Sequence, residues 1–141
     1  MFRNYDPAKH TLSFKGIIIL GFDEGTFIKA ERSQQAFMKK VGATGDVTRA
    51  RNRDRTGMLT FTLMKGSPAN DLLSAVQIAD ELTGLGYGPL LMKDLSGTSV
   101  VQADNAWIQK MPDFEAAVEP GGVQWILDME VMNLFVGGLL S

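Results

Sequence analysis

The chain has no cysteine and only one histidine among its 141 residues. Disulfide bonds and thiolate catalysis are therefore excluded, and so are most zinc sites. Long apolar runs are also missing: the strongest, residues 17–20, stops at Gly21, far short of the run of about 18 residues that crosses a bilayer. The sequence predicts no membrane-spanning segment and no signal peptide, so we expect the product to stay in the cytoplasm where it is made unless a machine carries it out.

No group of residues predicts an active site. His10 could activate the hydroxyl of Thr11 or Ser13, but it lies in a short polar stretch without a third group to orient it. The glycine-rich stretch at 84–88 follows the predicted helix, whereas phosphate-binding loops precede one. We therefore expect no catalytic residue, no cofactor and no metal site, and a structural or binding protein that is not an enzyme.

Charge is unevenly distributed along the chain, although the net charge is only −2. Residues 1–65 contain 12 Lys/Arg and 6 Asp/Glu, a net +6, whereas residues 66–141 contain 2 and 10, a net −8. A basic surface on one copy could therefore meet an acidic surface on another. Neutralisation of the two sets within a single fold is the alternative that the sequence leaves open.

One segment in the middle of the chain alternates apolar and polar residues, as a half-buried β-strand does. Leu59, Phe61 and Leu63 share one face of this strand, and Thr60 and Thr62 share the other. We expect the apolar face to lie in the core. A second alternating strand, at residues 123–131, is predicted to add Trp125 and Leu127 to that core.

The only convincing helix follows the first of these strands. Ser67 can cap it, Pro68 suits the first helical position, and Gly84 ends it, which gives a helix at about 68–83. Its apolar stripe is predicted to face a sheet. The stripe consists of Leu72, Val76, Ala79 and Leu82, flanked by Leu73 and Ile78. Of these, Leu72, Val76 and Ala79 are assigned to the core.

The remaining chain reads as short strands separated by turn residues. The predicted strands are at residues 12–22, 27–32, 35–41, 47–51, 90–95 and 100–109, and residues 113–122 are predicted to form a surface loop. We find no linker, repeat or low-complexity tract. The sequence therefore predicts a single domain, 1–141, that is mainly β: a β-sandwich or barrel-like subunit with one flanking α-helix.

Four arginines, Arg49, Arg51, Arg53 and Arg55, occupy alternate positions. In one continuous strand they would form a cationic face that needs an acidic partner or nucleic acid. Residues 52–57 are rich in turn formers, which favours a bend that points the arginines in several directions. Either arrangement leaves a projecting basic hairpin suited to contact between subunits, whereas DNA binding is disfavoured because no aromatic residues interleave with the arginines.

The order of several short motifs resembles the tail tube proteins of contractile-tailed bacteriophages. The motifs are GATGDVTR at 42–49, TGMLTFTL at 56–63, SPANDLL at 67–73, LMKDLSGT at 91–98, AWI at 106–108 with MP at 111–112, and the closing segment at 123–138. Each motif is short and degenerate. The resemblance rests on the order of the motifs, which together span nearly the whole chain.

The resemblance implies a subunit that joins its sheet to those of five copies, so that a hexameric ring encloses a continuous inner β-barrel. Rings of this family stack into a tube inside a contractile sheath, and double-stranded DNA leaves through the lumen without specific binding. The implied partners are further copies of the chain, the sheath protein, the baseplate or tube initiator and the tail terminator. The implied location is the virion tail, assembled in the host cytoplasm.

Two site hypotheses follow from this assembly. We expect Thr48, Ala50, Thr60 and Thr62 to line the lumen, where a neutral-to-acidic wall lets DNA slide because it makes few phosphate contacts. We expect Arg49, Arg51, Arg53 and Arg55 to lie at the ring-to-ring contact and to meet acids of the next ring. The acids assigned to that contact are Asp113, Glu115 and Glu119.

Two other functions remain open from the sequence. The tube protein of a bacterial contractile secretion or injection system would share the fold and the ring. A monomeric ligand-binding β-barrel would instead use the helix as a lid over a pocket lined by Trp107 and Trp125. The first alternative predicts rings or hollow rods, and the second predicts a compact monomer.

Overall fold

The computed structural model describes residues 10–20, 22, 28–95, 97–114 and 121–138. Within these residues the chain forms short strands and one helix, which confirms the predicted mainly-β class. The elements are β1 (His10–Phe14), β2 (Ile17–Ile18), β3 (Ile28–Arg32), β4 (Phe37–Val41), β5 (Val47–Arg51), β6 (Gly57–Met64), α1 (Ala69–Thr83), β7 (Gly88–Asp94), β8 (Val100–Ile108), β9 (Gly122–Met129) and β10 (Asn133–Phe135).

The strands form one large sheet and one separate hairpin. The large sheet has the order β2-β1-β7-β8-β9-β6-β3, and β10 also pairs with β8. Strands β4 and β5 pair only with each other among the described elements. The described strand pairs are all antiparallel, so one face of the sheet can cover the core while the other stays accessible.

The core lies on the face of the sheet that carries the odd-numbered residues of β6. Leu59, Phe61 and Leu63 are each at most 1% exposed. Their neighbours on β9 include Leu127 and Trp125, which are equally buried. The side chain of Trp125 also joins the sheet to the start of α1, because its Nε1–H donates to Asn70 Oδ1 at 3.0 Å.

The helix begins one residue later than the sequence predicts. Pro68 is the N-cap, and Ser67 lies before it, where its Oγ accepts the N–H of Ala69 at 3.3 Å. At the other end Gly84 adopts a φ of 71° and donates its N–H to the carbonyl of Asp80 at 2.8 Å. Gly84 therefore ends the helix as predicted, in the left-handed conformation that glycine adopts without strain.

The face that the helix turns toward the core differs from the predicted stripe. Leu72 is 50% exposed, Leu82 is 80% exposed and Ala79 is also exposed, so none of the three lies in the core, whereas Val76 is half-buried against it. The buried positions, four residues apart, are Ala69, Leu73 and Gln77. One residue turns a helix by about 100°, so placing the stripe on Leu72, with Leu73 only at its flank, misplaces the whole face.

The first predicted strand is interrupted by a tight turn. Lys15 and Gly16 have φ values of 52° and 79°, and they connect β1 to β2 in a two-residue hairpin. Positive φ at both central residues is the geometry that suits the twist of an antiparallel pair. The single strand predicted at 12–22 is therefore wrong, whereas other predicted strands differ from the structure by one or two residues at their ends, and β10 was not predicted.

Candidate assembly interface

The hairpin formed by β4 and β5 is the most exposed element of the described chain. Phe37 pairs with Arg51 at its base, and Val41 pairs with Val47 next to the turn. Every residue of both strands is exposed. A two-stranded hairpin with no apolar cover is marginally stable in water, so this element is suited to packing against another molecule.

Both faces of the hairpin combine cations with apolar side chains. One face carries Phe37, Lys39, Val41, Val47, Arg49 and Arg51, and the other carries Met38, Lys40, Thr48 and Ala50. On the first face the guanidinium carbon of Arg49 lies 3.9 Å from the centroid of the Phe37 ring. This cation–π contact orients Arg49 along the hairpin. Each face therefore offers positive charge and apolar surface together.

The arginine series bends after the second arginine. Strand β5 ends at Arg51 because two side-chain turns follow: Asn52 Oδ1 accepts the N–H of Asp54 at 3.0 Å, and Asp54 Oδ1 accepts both the N–H and the hydroxyl of Thr56, at 2.9 and 2.6 Å. The hydrogen bond from the Thr56 hydroxyl, followed by that from its N–H, lowers the pKa of Asp54. Arg53 therefore lies outside the strand that holds the first two arginines, as the bent alternative requires.

The base of the hairpin is fixed to the start of β10 by the residues around Arg55. The carbonyl of Arg55 accepts the N–H of Met132 at 2.9 Å, and its Nη2 donates to Asn133 Oδ1 at 3.2 Å. A Cβ added to Gly57 would lie 2.6 Å from Met132 Sδ, so the backbone of β6 approaches Met132 as closely as only glycine allows. The direction of the hairpin is thus set by contacts at its base.

The hairpin and the segment that leads into β9 lie at opposite ends of the strand pair formed by β6 and β9. Gly57, next to the base of the hairpin, pairs with Met129, and at the other end of the same two strands Met64 pairs with Gly122. Strand β8 ends at Ile108, which pairs with Leu127, and β9 begins at Gly122, at this second end. A head-to-tail stack would therefore bring the hairpin of one copy to this segment in the next.

The predicted acidic partner surface is only partly described. Asp113 is exposed on the connection between β8 and β9, and Glu115 and Glu119 lie outside the described residues. Lys65 and Lys110 line the same cleft, of about 300 Å³, as Asp113. The end of the sheet opposite the hairpin thus carries both signs of charge among the residues that the structure describes.

The four residues predicted to line the lumen do not form one surface. Thr60 and Thr62 are half-buried on the face of β6 that points away from the core. Thr48 and Ala50 lie on β5, and the strands that flank β6 are β9 and β3. In the described sheet β5 therefore does not lie beside β6, because residues 52–56 bend the chain away before β6 begins.

The two tryptophans lie on opposite faces of the sheet. Trp125 is 1% exposed in the core, whereas Trp107 pairs with Asp128 on the other face and is half-buried. Burial raises the pKa of Asp128, and a weaker hydrogen bond from Gln109 Nε2, at 3.5 Å, acts in the opposite direction. The two indoles cannot line one pocket, as the ligand-binding alternative requires.

His10, the possible metal ligands and the helix bear on catalysis, metal binding and membrane insertion. His10 Nε2 lies 3.8 Å from Asp94 Oδ1. Among the residues that the structure describes, no three side chains of the metal-binding types cluster together. In the same residues, no helix has the length and apolar character needed to cross a membrane.

Comparisons with known proteins match this chain over most of its length. The family described as bacteriophage PhiTE tail tube protein matches residues 20–137. Structural protein ORF10 of Pseudomonas phage KPP10 is 28% identical over 131 residues, which cover 92% of this chain and 76% of that protein.

Solved structures share the fold at low sequence identity. A chain of the PVC extracellular contractile injection system, in its extended sheath–tube complex, gives a TM-score of 0.60 at 10% identity and covers 94% of this chain and 91% of its own length. A chain of the tube-terminating cap of the anti-feeding prophage gives 0.59 at 12% identity and covers 96% and 93%. The arrangement of sheet, helix and hairpin is therefore one that other proteins adopt with different sequences.

Proposed function

The chain belongs to the family of the bacteriophage PhiTE tail tube protein, and from this premise we propose that six copies form a ring and that rings stack into the tube that conducts DNA out of the virion. The protein is a structural component of the phage tail. The finer proposal rests on one observation: an exposed hairpin extends from the end of β6, in a sheet whose two marginal strands each pair with one neighbour among the described strands.

The margins of the large sheet support ring formation. Strand β3, at one margin, pairs only with β6 among the described strands, and β2, at the other, has two residues. An unpaired strand edge presents free N–H and C=O groups that pair readily with another chain. Copies arranged around a rotation axis would place the β3 margin of each beside the β2 margin of the next, which would close the sheets into an inner barrel.

The positions of charged residues support head-to-tail stacking of the rings. The hairpin, with Arg49, Arg51 and the bend that holds Arg53, extends from one end of β6, and Asp113 lies near the Gly122 end of β9. In the stack the arginines and Arg55 meet Asp113, Glu115 and Glu119 of the next ring. Such an interface is heterologous, so it propagates along the axis until a different protein ends it.

The accessible face of β6 supplies the wall of the lumen. Thr60 and Thr62 lie on this face, and their partners on β9 are Ile126 and Gln124. A surface of this kind makes few contacts with phosphates, which lets double-stranded DNA slide without specific binding. Six copies with the chain's net charge of −2 would give each ring a charge of −12.

The remaining partners follow from the same assembly. The sheath protein surrounds the tube, a baseplate protein initiates it and a tail terminator ends it, and the subunits assemble in the host cytoplasm. The role is non-enzymatic. A tube of a contractile injection system is the second candidate, which the likeness to such tubes favours; the phage family and the phage relative favour a virion.

Electron microscopy of the purified protein tests the proposal. The wild-type chain is expected to give rings or hollow rods, and a population of single small particles at high concentration would overturn the assembly. Changing Asp113, Glu115 and Glu119 to lysine is expected to leave rings that no longer stack. The control is Asp104→Lys, an exposed acid on β8 rather than on the 109–121 connection, which should give tubes of normal length; tubes of normal length from the triple variant would refute the ring-to-ring contact.

A further inference from the structure

An apolar stripe runs along the exposed side of α1, and we call it the outer stripe. Leu72 is 50% exposed, Ile78 is 52% exposed and Leu82 is 80% exposed, and two exposed alanines lie among them. Four of its residues, at positions 72, 75, 79 and 82, alternate steps of three and four, the spacing of the a and d positions of a coiled coil. The outer stripe consists of Leu72, Ala75, Ile78, Ala79 and Leu82.

The side of α1 that faces the core is no more apolar than the outer stripe. Its buried positions are Ala69, Leu73 and Gln77, and Val76 is half-buried beside them. The Oε1 atom of Gln77 accepts no hydrogen bond among the described residues. A helix with apolar side chains on both sides is typically covered on both sides, and a contiguous exposed apolar patch marks an interaction site. We therefore expect another molecule to cover the outer stripe.

The charged residues of α1 are all acids: Asp71, Asp80 and Glu81. Asp71 lies one turn before Ala75, and Glu81 lies one turn after Ile78, so these two exposed carboxylates flank the outer stripe. Glu81 Oε1 accepts from Gln77 Nε2 at 3.1 Å, which holds that carboxylate in place. A second copy of α1 would bring like charges together, whereas a cationic partner would match them.

The two alanines of the outer stripe give it the shape that receives another helix. Ala75 and Ala79 are one turn apart, with a leucine on either side of them along the stripe. Small side chains between larger ones leave a hole that a side chain of a facing helix can enter. The partner that fits is therefore an α-helix with apolar residues at the same spacing and Lys or Arg at its edges, where their stems cover the leucines.

In the proposed ring the outer stripe faces away from the lumen. The helix packs on the core face of the sheet, since Leu73 belongs to the core and Trp125 Nε1 donates to Asn70 Oδ1. Thr60 lies on the opposite face, which is the proposed wall of the lumen. Ala75 follows Leu73 by two residues, a rotation of about 200° around the helix axis. The outer stripe therefore points outward from the tube wall.

We propose that the outer stripe is the docking site for a basic amphipathic helix of the protein that surrounds the tube. The partner's helix lies along α1, one of its apolar side chains enters between Ala75 and Ala79, and its cations pair with Asp71 and Glu81. The proposal rests on the proposed tube and adds a radial contact to the axial contact made by the arginines. Every subunit presents the same stripe, so individually weak contacts add up along the tube.

Sedimentation of assembled tubes with the sheath protein encoded in the same genome tests the contact. Ala79→Arg fills the middle of the outer stripe with a cation, and arginine favours helix, so the variant should fold and form tubes. Its tubes should bind the sheath protein at least about tenfold more weakly than wild-type tubes. The matched control is Gln124→Arg, which adds an arginine at an exposed position of β9 beside Thr62, on the other face of the sheet, and should bind as the wild type does.

The possible outcomes separate this contact from the proposed function. Wild-type binding by Ala79→Arg tubes overturns the contact alone. A folded Ala79→Arg chain that no longer forms tubes also overturns it, because the outer stripe would then face another copy of the chain. A wild-type chain that never forms tubes overturns the proposed function as well.

Charge removal provides a second measurement. Asp71→Asn together with Glu81→Gln leaves the outer stripe unchanged and keeps an acceptor for Gln77 Nε2. Sheath binding by wild-type tubes should weaken as salt is added, because salt screens exposed ion pairs. The neutral variant should bind more weakly than the wild type at low salt and should respond less to salt. An equal response to salt in the two kinds of tube would overturn the assignment of a cationic partner.

Discussion

Replacing Phe61 with alanine tests the assignment of the two faces of β6. The side chain is 1% exposed, and its ring meets that of Phe22 edge-on, with centroids 6.3 Å apart and planes at 83°. Loss of the buried ring leaves a cavity and should lower the free energy of unfolding by about 3–5 kcal/mol. The aromatic pair itself contributes about 0.5–1.5 kcal/mol beyond burial, so we expect the loss to lie in the upper part of that range.

This loss is large compared with the stability of an ordinary domain, about 5–15 kcal/mol. The alanine variant should fold with a reduced melting temperature, whereas Phe61→Asp, which would bury an unpaired charge, should abolish soluble folding. Urea unfolding followed by circular dichroism, at a concentration where the chain is dispersed, measures the difference.

The control is the next residue along the same strand. Thr62 is half-buried on the opposite face, so Thr62→Ser should change the free energy of unfolding by no more than about 0.5 kcal/mol and should leave tubes unaltered. Equal losses in the two variants would refute the assignment of core and accessible faces.

Two further predictions concern the helix end and a titrating group. Gly84→Ala should lower the free energy of unfolding by about 1–2 kcal/mol, because φ at this position is 71°; Gly66→Ala, where an added Cβ meets nothing within 4 Å, is the control, and equal melting temperatures for the two variants would contradict the argument. Because burial raises the pKa of Asp128 above its ordinary 3.8, stability associated with the protonated carboxyl is present below that value and is lost as the pH rises through the raised pKa. Asp128→Asn retains an acceptor for Gln109, so this variant should be more stable than the wild type at neutral pH and equally stable near pH 3, as measured by urea unfolding. The control is Asp104→Asn, which should not show this pH dependence. A stability difference of the same size at both pH values, or the same behaviour in the control, would contradict the prediction.

The sequence predicts the parts of this fold in which local pattern and tertiary packing agree. In β6 the alternation of Leu59, Thr60 and Phe61 matches a strand with one buried face, so the period of two is sufficient. The end of the helix is predictable because the residue that ends a helix often adopts a positive φ, and glycine, here Gly84, does so without strain. The hairpin is predictable from the turn residues between its strands.

The errors arise where tertiary contacts decide the outcome. The helix buries Gln77, a polar residue, and leaves Leu72 half exposed, so hydrophobicity alone assigns the wrong face. The turn at Lys15 and Gly16 interrupts an apolar run that reads as one strand. Strands that are close in sequence, such as β5 and β6, need not pair, because a bend of a few residues separates them.

A groove of about 530 Å³ beside the C-terminal end of the helix could not be predicted, for a different reason. Its lining includes Asp80, Tyr87, Trp107 and Glu130, which lie in four separate segments, and no spacing along the chain connects them. Only the pairing of β7 with β8 and of β8 with β9 brings the last three of these residues near one another. The sequence signal available was limited to the acidic excess of the second half of the chain, which does not locate a site.

The close approach of Gly57 to Met132 sets the angle at which the hairpin leaves the sheet. The hairpin strands extend about 17 Å beyond it, so a tilt of about 10° at the base would displace the tip by roughly 3 Å, the length of a hydrogen bond. Extra side-chain volume between Gly57 and Met132 would thus displace any contact made by the hairpin tip while leaving the rest of the subunit intact. The angle at which successive subunits meet would then depend on Met132 and on the absence of a side chain at Gly57, although neither residue lies in the contact itself.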